Sequence, residues 1–241
     1  MFTSLVCEAA KLRRSLALLL CAAAPAMVAL LGIIVLTDAK GTRSWHVFSV
    51  GAAAIWSYFM LPMTVTALTV LVAQIEHGPK SWNHLLALPV ARWRHHAAKA
   101  AVTILLVAAM SLMLWLALPL AGAVANALTG GGRLTGAYDW AGTGAILARM
   151  FASALLLVVI QLWTALRFKS FVPPLVVGIG GTFVAVAATG SRQGLYFPWL
   201  LPTNVLATDP ARAGFALALG AAGGLALLAL MLLDLGRREF G

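Results

Sequence analysis

The sequence predicts an all-α membrane protein that crosses the bilayer several times, and three observations predict it. Of its 241 residues, 62% are hydrophobic and only 10% charged, with a mean hydropathy of +0.95, which leaves too little polar material to cover a soluble domain. The apolar residues fall into six runs, at 15–36, 47–75, 98–121, 145–166, 172–189 and 213–235, each near the roughly 20 residues that a helix needs to cross a bilayer. The Lys and Arg residues gather in short clusters between those runs, where they meet lipid head groups. The net charge of +10 therefore implies a membrane surface and no nucleic acid.

The segment before the first run has its own pattern. Phe2, Leu5, Val6, Ala9 and Leu12 recur at helical spacing, with Ser4, Glu8, Lys11 and Ser15 on the opposite face. Residues 1–14 are thus expected to form an amphipathic helix in the membrane plane, with Arg13 and Arg14 at its turn into the bilayer. The first run is longer than the 7–15 residues of a signal-peptide core and is expected to stay as an uncleaved helix. Each of the six runs must be helical, because unpaired backbone groups cannot face hydrocarbon. Pro25, Pro62 and Pro119 lie within them and are expected to kink helices whose neighbours absorb the distortion. Cys7 and Cys21 would lie about 21 Å apart on a continuous helix, too far for a disulfide.

Charge sets the expected orientation. With the N-terminus inside, the inner side holds Lys11, Arg13, Arg14, Lys80, Arg92, Arg94, Lys99, Arg167, Lys169, Arg237 and Arg238, against Lys40, Arg43, Arg133, Arg192 and Arg212 outside. Both termini are therefore expected in the cytoplasm. Residues 76–97 then form the longest cytoplasmic connection.

That connection reads as a short surface helix. Gly78 breaks the second run, Pro79 suits the first position of a new helix, and Pro89 pushes Leu88 out of the α region. The residues between, 80–88, span about 13 Å and cannot cross the membrane. Trp82, Leu85 and Leu86 share one face. Two uses are open to such a helix: resting on lipid, or docking its apolar knobs into a groove on a cytoplasmic partner.

An acidic residue closing the second run, an aromatic, the stretch LLALPV and then an Arg and a Lys (Glu76, Trp82, residues 85–90, Arg92 and Lys99) resemble the cytoplasmic loop of ABC-2 type permeases. The subgroup it resembles most is the lantibiotic-immunity and bacitracin-resistance type. The stretch EAAKLRRS at residues 8–15, with Glu8, Lys11, Arg13 and Arg14, is similar to that family's N-terminal surface helix. The resemblance implies six spans in one permease domain covering residues 1–241, with a coupling helix in the loop of residues 76–97. It implies a bacterial cytoplasmic (inner) membrane and a separate ABC ATP-binding subunit. A second permease copy or a paralogue would complete the assembly. It further implies that Trp82, Leu85, Leu86 and Leu88 anchor that subunit, with His84 and Pro89 beside them and Glu76, Arg92 and Arg94 as the polar rim. ATP and Mg would sit on the partner, leaving this chain with no bound cofactor.

Missing motifs point the same way. There is no G-x-x-x-x-G-K-[ST] phosphate loop, and the glycines at 130–132 precede Arg133, a pattern that reads as a loop. Every Asp and Glu lies in a loop or at the end of a run, whereas a proton-coupled carrier needs one near the membrane centre. A secondary transporter remains the alternative, through a backbone-carbonyl ion site. A multi-pass membrane enzyme is the other, but His77, His84, His95 and His96 come without H-E-x-x-H, so neither a metal nor a catalytic set is expected.

Three further features bear on transport. Arg149 lies about one turn inside the fourth run, where it either snorkels to the head groups or faces the substrate path. Tyr196, Phe197 and Trp199 read as an outer aromatic belt, in a region that in the resembled family often forms short helices dipping into the outer leaflet. Gly220 and Gly224 make a G-x-x-x-G, expected to pack helices within one chain. The low charge of the runs fits an amphipathic peptide, antibiotic or lipid-like cargo.

Overall fold

The structure is a computed structural model that describes residues 2–12, 15–39, 41–77 and 92–237. Helix α1 (Phe2–Leu12) is followed by α2 (Leu16–Asp38), α3 (Trp45–Ile55) and α4 (Leu61–His77), then α5 (Arg92–Leu128), α6 (Trp140–Arg167), α7 (Val172–Ala188), the single turn α8 (Leu201–Asn204) and α9 (Pro210–Arg237). Among the described residues the β structure is one parallel bridge of two residues, Arg43–Ser44 against Leu134–Thr135. An all-α architecture follows.

Among the described residues five helices are long and apolar enough to cross a membrane: Leu16–Asp38, Trp45–Ile75, Trp93–Leu128, Trp140–Arg167 and Pro210–Arg237. The expected fifth span is α7, which has 17 residues, or about 25 Å, and is shorter than the other five. The third is longer than its apolar run. Arg92 to Ala97 continue into it because the stretch holds no Pro or Gly and leads into the Ala-rich AAKAA of residues 97–101, so the helix extends beyond the apolar residues.

Pro62 leaves its mark one turn earlier. A proline cannot donate to the carbonyl four residues back and its ring clashes with it. The chain answers with a π turn, Trp56–Met60, in which Leu61 N–H donates to Trp56 O. That shift by one residue joins α3 to α4 without a break.

The core lies where α4, α5 and α6 meet. Leu61, Leu68, Met110, Leu114, Leu118, Met150, Leu157 and Leu162 are fully buried there. Large apolar residues also cover the outside, among them Leu19, Leu30 and Ile34 on α2, Val176 and Phe183 on α7 and Leu225 and Leu230 on α9, as a lipid-facing surface requires. Hydroxyls turn inward and bond back along their own helices: Thr66 to Pro62 O (2.8 Å), Thr103 to Lys99 O (2.9 Å) and Thr182 to Gly178 O (2.8 Å). No hydroxyl proton of these residues is left facing lipid.

Glycines set the closest helix contacts. A Cβ on Gly220 would collide with the backbone of Ser153, and one on Gly224 with the backbone at Leu155 and Leu156. The G-x-x-x-G of α9 thus seats it on α6 of the same chain, running parallel to it. Gly178 on α7 leaves room for Thr66 and Gln161. The Gln161 amide spans one turn of α7, its nitrogen donating to Pro174 O (3.2 Å) and its oxygen accepting from Gly178 N (2.9 Å).

The stretch after α7 departs from the expected aromatic belt. Helix α7 runs antiparallel to α4 and ends where the Tyr58 hydroxyl meets the Thr189 hydroxyl. The chain then turns back into the bundle, so that the Trp199 indole rests on Gly181, where any Cβ would collide with the ring. Trp199 is buried and stacks on Phe197, whereas Tyr196 is exposed. Only Tyr196 therefore has the exposure a belt residue needs. Arg212 closes the turn, its Nε (3.1 Å) and a terminal nitrogen (2.8 Å) both donating to Asn204 Oδ1.

Candidate functional site: the loop end of the bundle

The end of the bundle where α4 stops and α5 begins is built from α1, the last turns of α4, the first turns of α5 and the ends of α6 and α9. Helix α1 turns Leu5, Glu8 and Leu12 toward the protein, at i, i+3 and i+7, and leaves Val6, Cys7, Ala9 and Ala10 exposed. Lys99 of α5 donates to Glu8 Oε2 at 2.8 Å, and Lys11 donates to Glu8 Oε1 at 2.6 Å. Lys99 also reaches Val72 O of α4 at 3.4 Å. Only 6% of Glu8 and 2% of Lys99 is exposed.

This departs in part from the expected faces, since Glu8 joins Leu5 and Leu12 against the protein. The pattern of α1 assigns Glu8 and Lys11 to a solvated side, yet Glu8 is turned inward. The reason is Lys99, which is buried between α4 and α5 and needs an anion, since a buried charge is tolerated only when paired. Burial pushes the Glu8 carboxyl up, but the Lys99 ammonium and the hydrogen bonds from Lys11 and Lys99 outweigh it and hold the group below its ordinary value. Glu8 is therefore an anion at neutral pH.

A second pair closes the same end. Asp234 of α9 accepts from Trp163 Nε1 (2.9 Å) and Arg167 Nη1 (3.1 Å) of α6. The beginning and the end of the chain thus lie at one end of the bundle, with α1 tied to α5 and α9 tied to α6.

Of the residues expected at a docking surface, Trp82, His84, Leu85, Leu86, Leu88 and Pro89 lie outside the described residues, as do Arg13 and Arg14. Glu76 is the last residue but one of α4 and Arg92 opens α5, so the residues between them connect two long helices. Sequence reasoning named Lys99 only as part of a motif. Its partner could not be read, because 91 residues separate it from Glu8.

Arg149 lies further from the start of its helix than from the start of its apolar run. Asp139 caps α6 by accepting from Gly142 N at 2.8 Å, so the helix starts at Trp140 and Arg149 lies nine residues, or about 13 Å, along it. A polar cap outside the apolar run moved the helix start outward. Arg149 is exposed on the side of the bundle.

Among the described residues no three His, Cys, Asp or Glu side chains come together as a metal site. Cys7 is exposed and Cys21 buried, both as free thiols.

The profile of the family described as "ABC-2 family transporter protein" matches residues 4–185 of this chain. The chain belongs to the ABC-2 transporter family. An ABC-2 permease is a multi-pass membrane subunit, and the matched stretch runs from α1 through nearly all of α7. It includes Glu8, Lys99, the loop of residues 78–91 and Arg149. Members of this family generally work with an ATP-binding subunit. A search of curated proteins and a search of solved structures each found no match to this chain.

Proposed function

We propose that this ABC-2 permease is the membrane half of an ATP-driven exporter of the lantibiotic-immunity and bacitracin-resistance kind. Residues 78–91 dock on a separate ATP-binding subunit, with Trp82, Leu85, Leu86 and Leu88 as the buried anchors. Beside them stand His84 and Pro89, with Glu76, Arg92 and Arg94 at the rim. The partner holds ATP and Mg, and a second copy or a paralogue completes the permease. The loop end, with both termini, faces the cytoplasm of a bacterial cell, and the cargo is an amphipathic peptide, antibiotic or lipid-like molecule. One observation supports this reading most: α4 and α5, the two helices that leave and re-enter the loop, are bridged by Lys99, which also holds α1. A push on the loop would reach three helices at once.

The test is capture of the ATPase encoded beside this chain in its native host. Wild-type chain is expected to bring it down, and Leu85→Asp with Leu86→Asp to lose capture by at least tenfold, since two charges would enter a desolvated groove. Equal capture by the double variant would refute the docking surface.

In the same reading Arg149 attracts an anionic group of the cargo. Its exposure on α6 leaves the guanidinium accessible to such a cargo. Arg149→Gln is then expected to lower transport several-fold with ATPase capture intact. Unchanged transport would dismiss the role.

A further inference from the structure

A groove of about 550 Å³ opens at the loop end between the start of α5 and the end of α9, within the roughly 300–1,000 Å³ of small-ligand sites. Leu232, Leu233 and Ala229 make its apolar wall, while Trp93 and Arg237 stand at its mouth. Gly236 keeps the groove open, since a Cβ there would sit 3.5 Å from Trp93 Cβ, in ordinary contact, and any longer side chain would run into the space. The guanidinium of Arg94 lies 5.8 Å from the centre of the Trp93 ring, so a second cation stands beside a residue that lines the groove.

Among the described residues the charges there are unbalanced. Among the described residues neither Arg94 nor Arg237 has a carboxylate partner. Asp234, one turn before Arg237 on α9, is turned to α6, where Trp163 and Arg167 hold it. An apolar trough open to the side, with two guanidiniums and an indole at the end of two membrane helices, matches a molecule with an anionic head and hydrocarbon tails.

We propose that this groove binds one anionic phospholipid, its acyl chain along Leu232 and Leu233 and its phosphate between Arg94 and Arg237. The site shares Arg94 with the rim of the proposed ATPase-docking surface, but lipid binding to the groove needs no ATPase. A lipid seated here would join α5 to α9 at the end where neither ion pair does so. A soluble phosphate ion would use the arginines but not the trough.

The test uses the full-length chain in detergent, mixed with equal mole fractions of dioleoylphosphatidylglycerol or dioleoylphosphatidylcholine, and counts retained lipid by native mass spectrometry. The wild type is expected to retain phosphatidylglycerol on the order of tenfold more than phosphatidylcholine. Arg94→Gln with Arg237→Gln should abolish that preference. Gly236→Leu, which fills the trough and leaves both arginines in place, should lower retention of phosphatidylglycerol, and inorganic phosphate at millimolar concentration should not displace it. Both arginines are exposed, so the double variant keeps its fold, and monodisperse elution checks this. Equal retention of the two lipids, unchanged phosphatidylglycerol in both variants, or displacement by free phosphate would each overturn the site.

Discussion

Glu8→Gln is expected to release α1 from α5. The substitution removes the carboxylate that faces Lys99 and Lys11 and leaves the Lys99 ammonium buried without that anion. Breaking a buried pair from one side costs about 3–5 kcal/mol, more than the few apolar contacts of an 11-residue helix readily offset. Amide hydrogen exchange is the measurement: α1 should lose protection while α5 and α6 keep theirs. Glu8→Lys combined with Lys99→Glu should restore part of it, because the attraction survives the exchange of ends. Full protection in Glu8→Gln would show that apolar contacts alone hold α1.

The same pair sets a pH dependence. The folded-state pKa of Glu8 is lowered, so its ion pairs contribute fully above the ordinary carboxylate value of about 4.3. The contribution is lost only as pH falls through the lowered value. Protection of α1 should therefore be flat between about pH 5 and 8 and fall only below about pH 4. A loss centred near pH 6 would contradict this.

Gly220→Leu is expected to separate α9 from α6. The new Cβ would meet the backbone of Ser153, which has no rotamer to turn away, so the helices must move apart along their 28-residue lengths. Between membrane helices there is little hydrophobic force to restore the contact, since lipid is as apolar as the interface. The cost should reach or pass the ~3 kcal/mol upper end for overpacking, and Asp234 would be drawn away from Trp163 and Arg167. Thermal unfolding in detergent, read by monodisperse elution after heating, measures it. Gly223→Leu is the control, because a Cβ there meets only Leu156 and Leu219 methyl groups at 3.6 Å or more, and it should unfold near the wild-type temperature. Equal effects of the two substitutions would refute the close seat of Gly220.

Much of the architecture was legible in the residues. The long apolar helices follow from hydropathy alone, because the bilayer demands satisfied backbone groups over a set length. The G-x-x-x-G at Gly220 and Gly224 packs within the chain, as its residue type suggests. Helix ends were less legible: α5 starts before its apolar run at Arg92, and α6 starts at Trp140 behind an Asp139 cap. Helix formers and caps extend a helix past the point where hydropathy falls. Trp199 was misplaced because an aromatic near a loop looks like a belt residue until Gly181 is found to receive it.

The sequence by itself determined that the chain is a helical membrane protein with a short, proline-bounded segment between its second and third spans, since hydropathy, proline and charge act over neighbouring residues. Only the tertiary structure decided what Glu8 faces, how α9 sits on α6 and where the chain turns back after α7. Each of those depends on two positions far apart in the chain coming within a few ångströms, and no local pattern carries that distance.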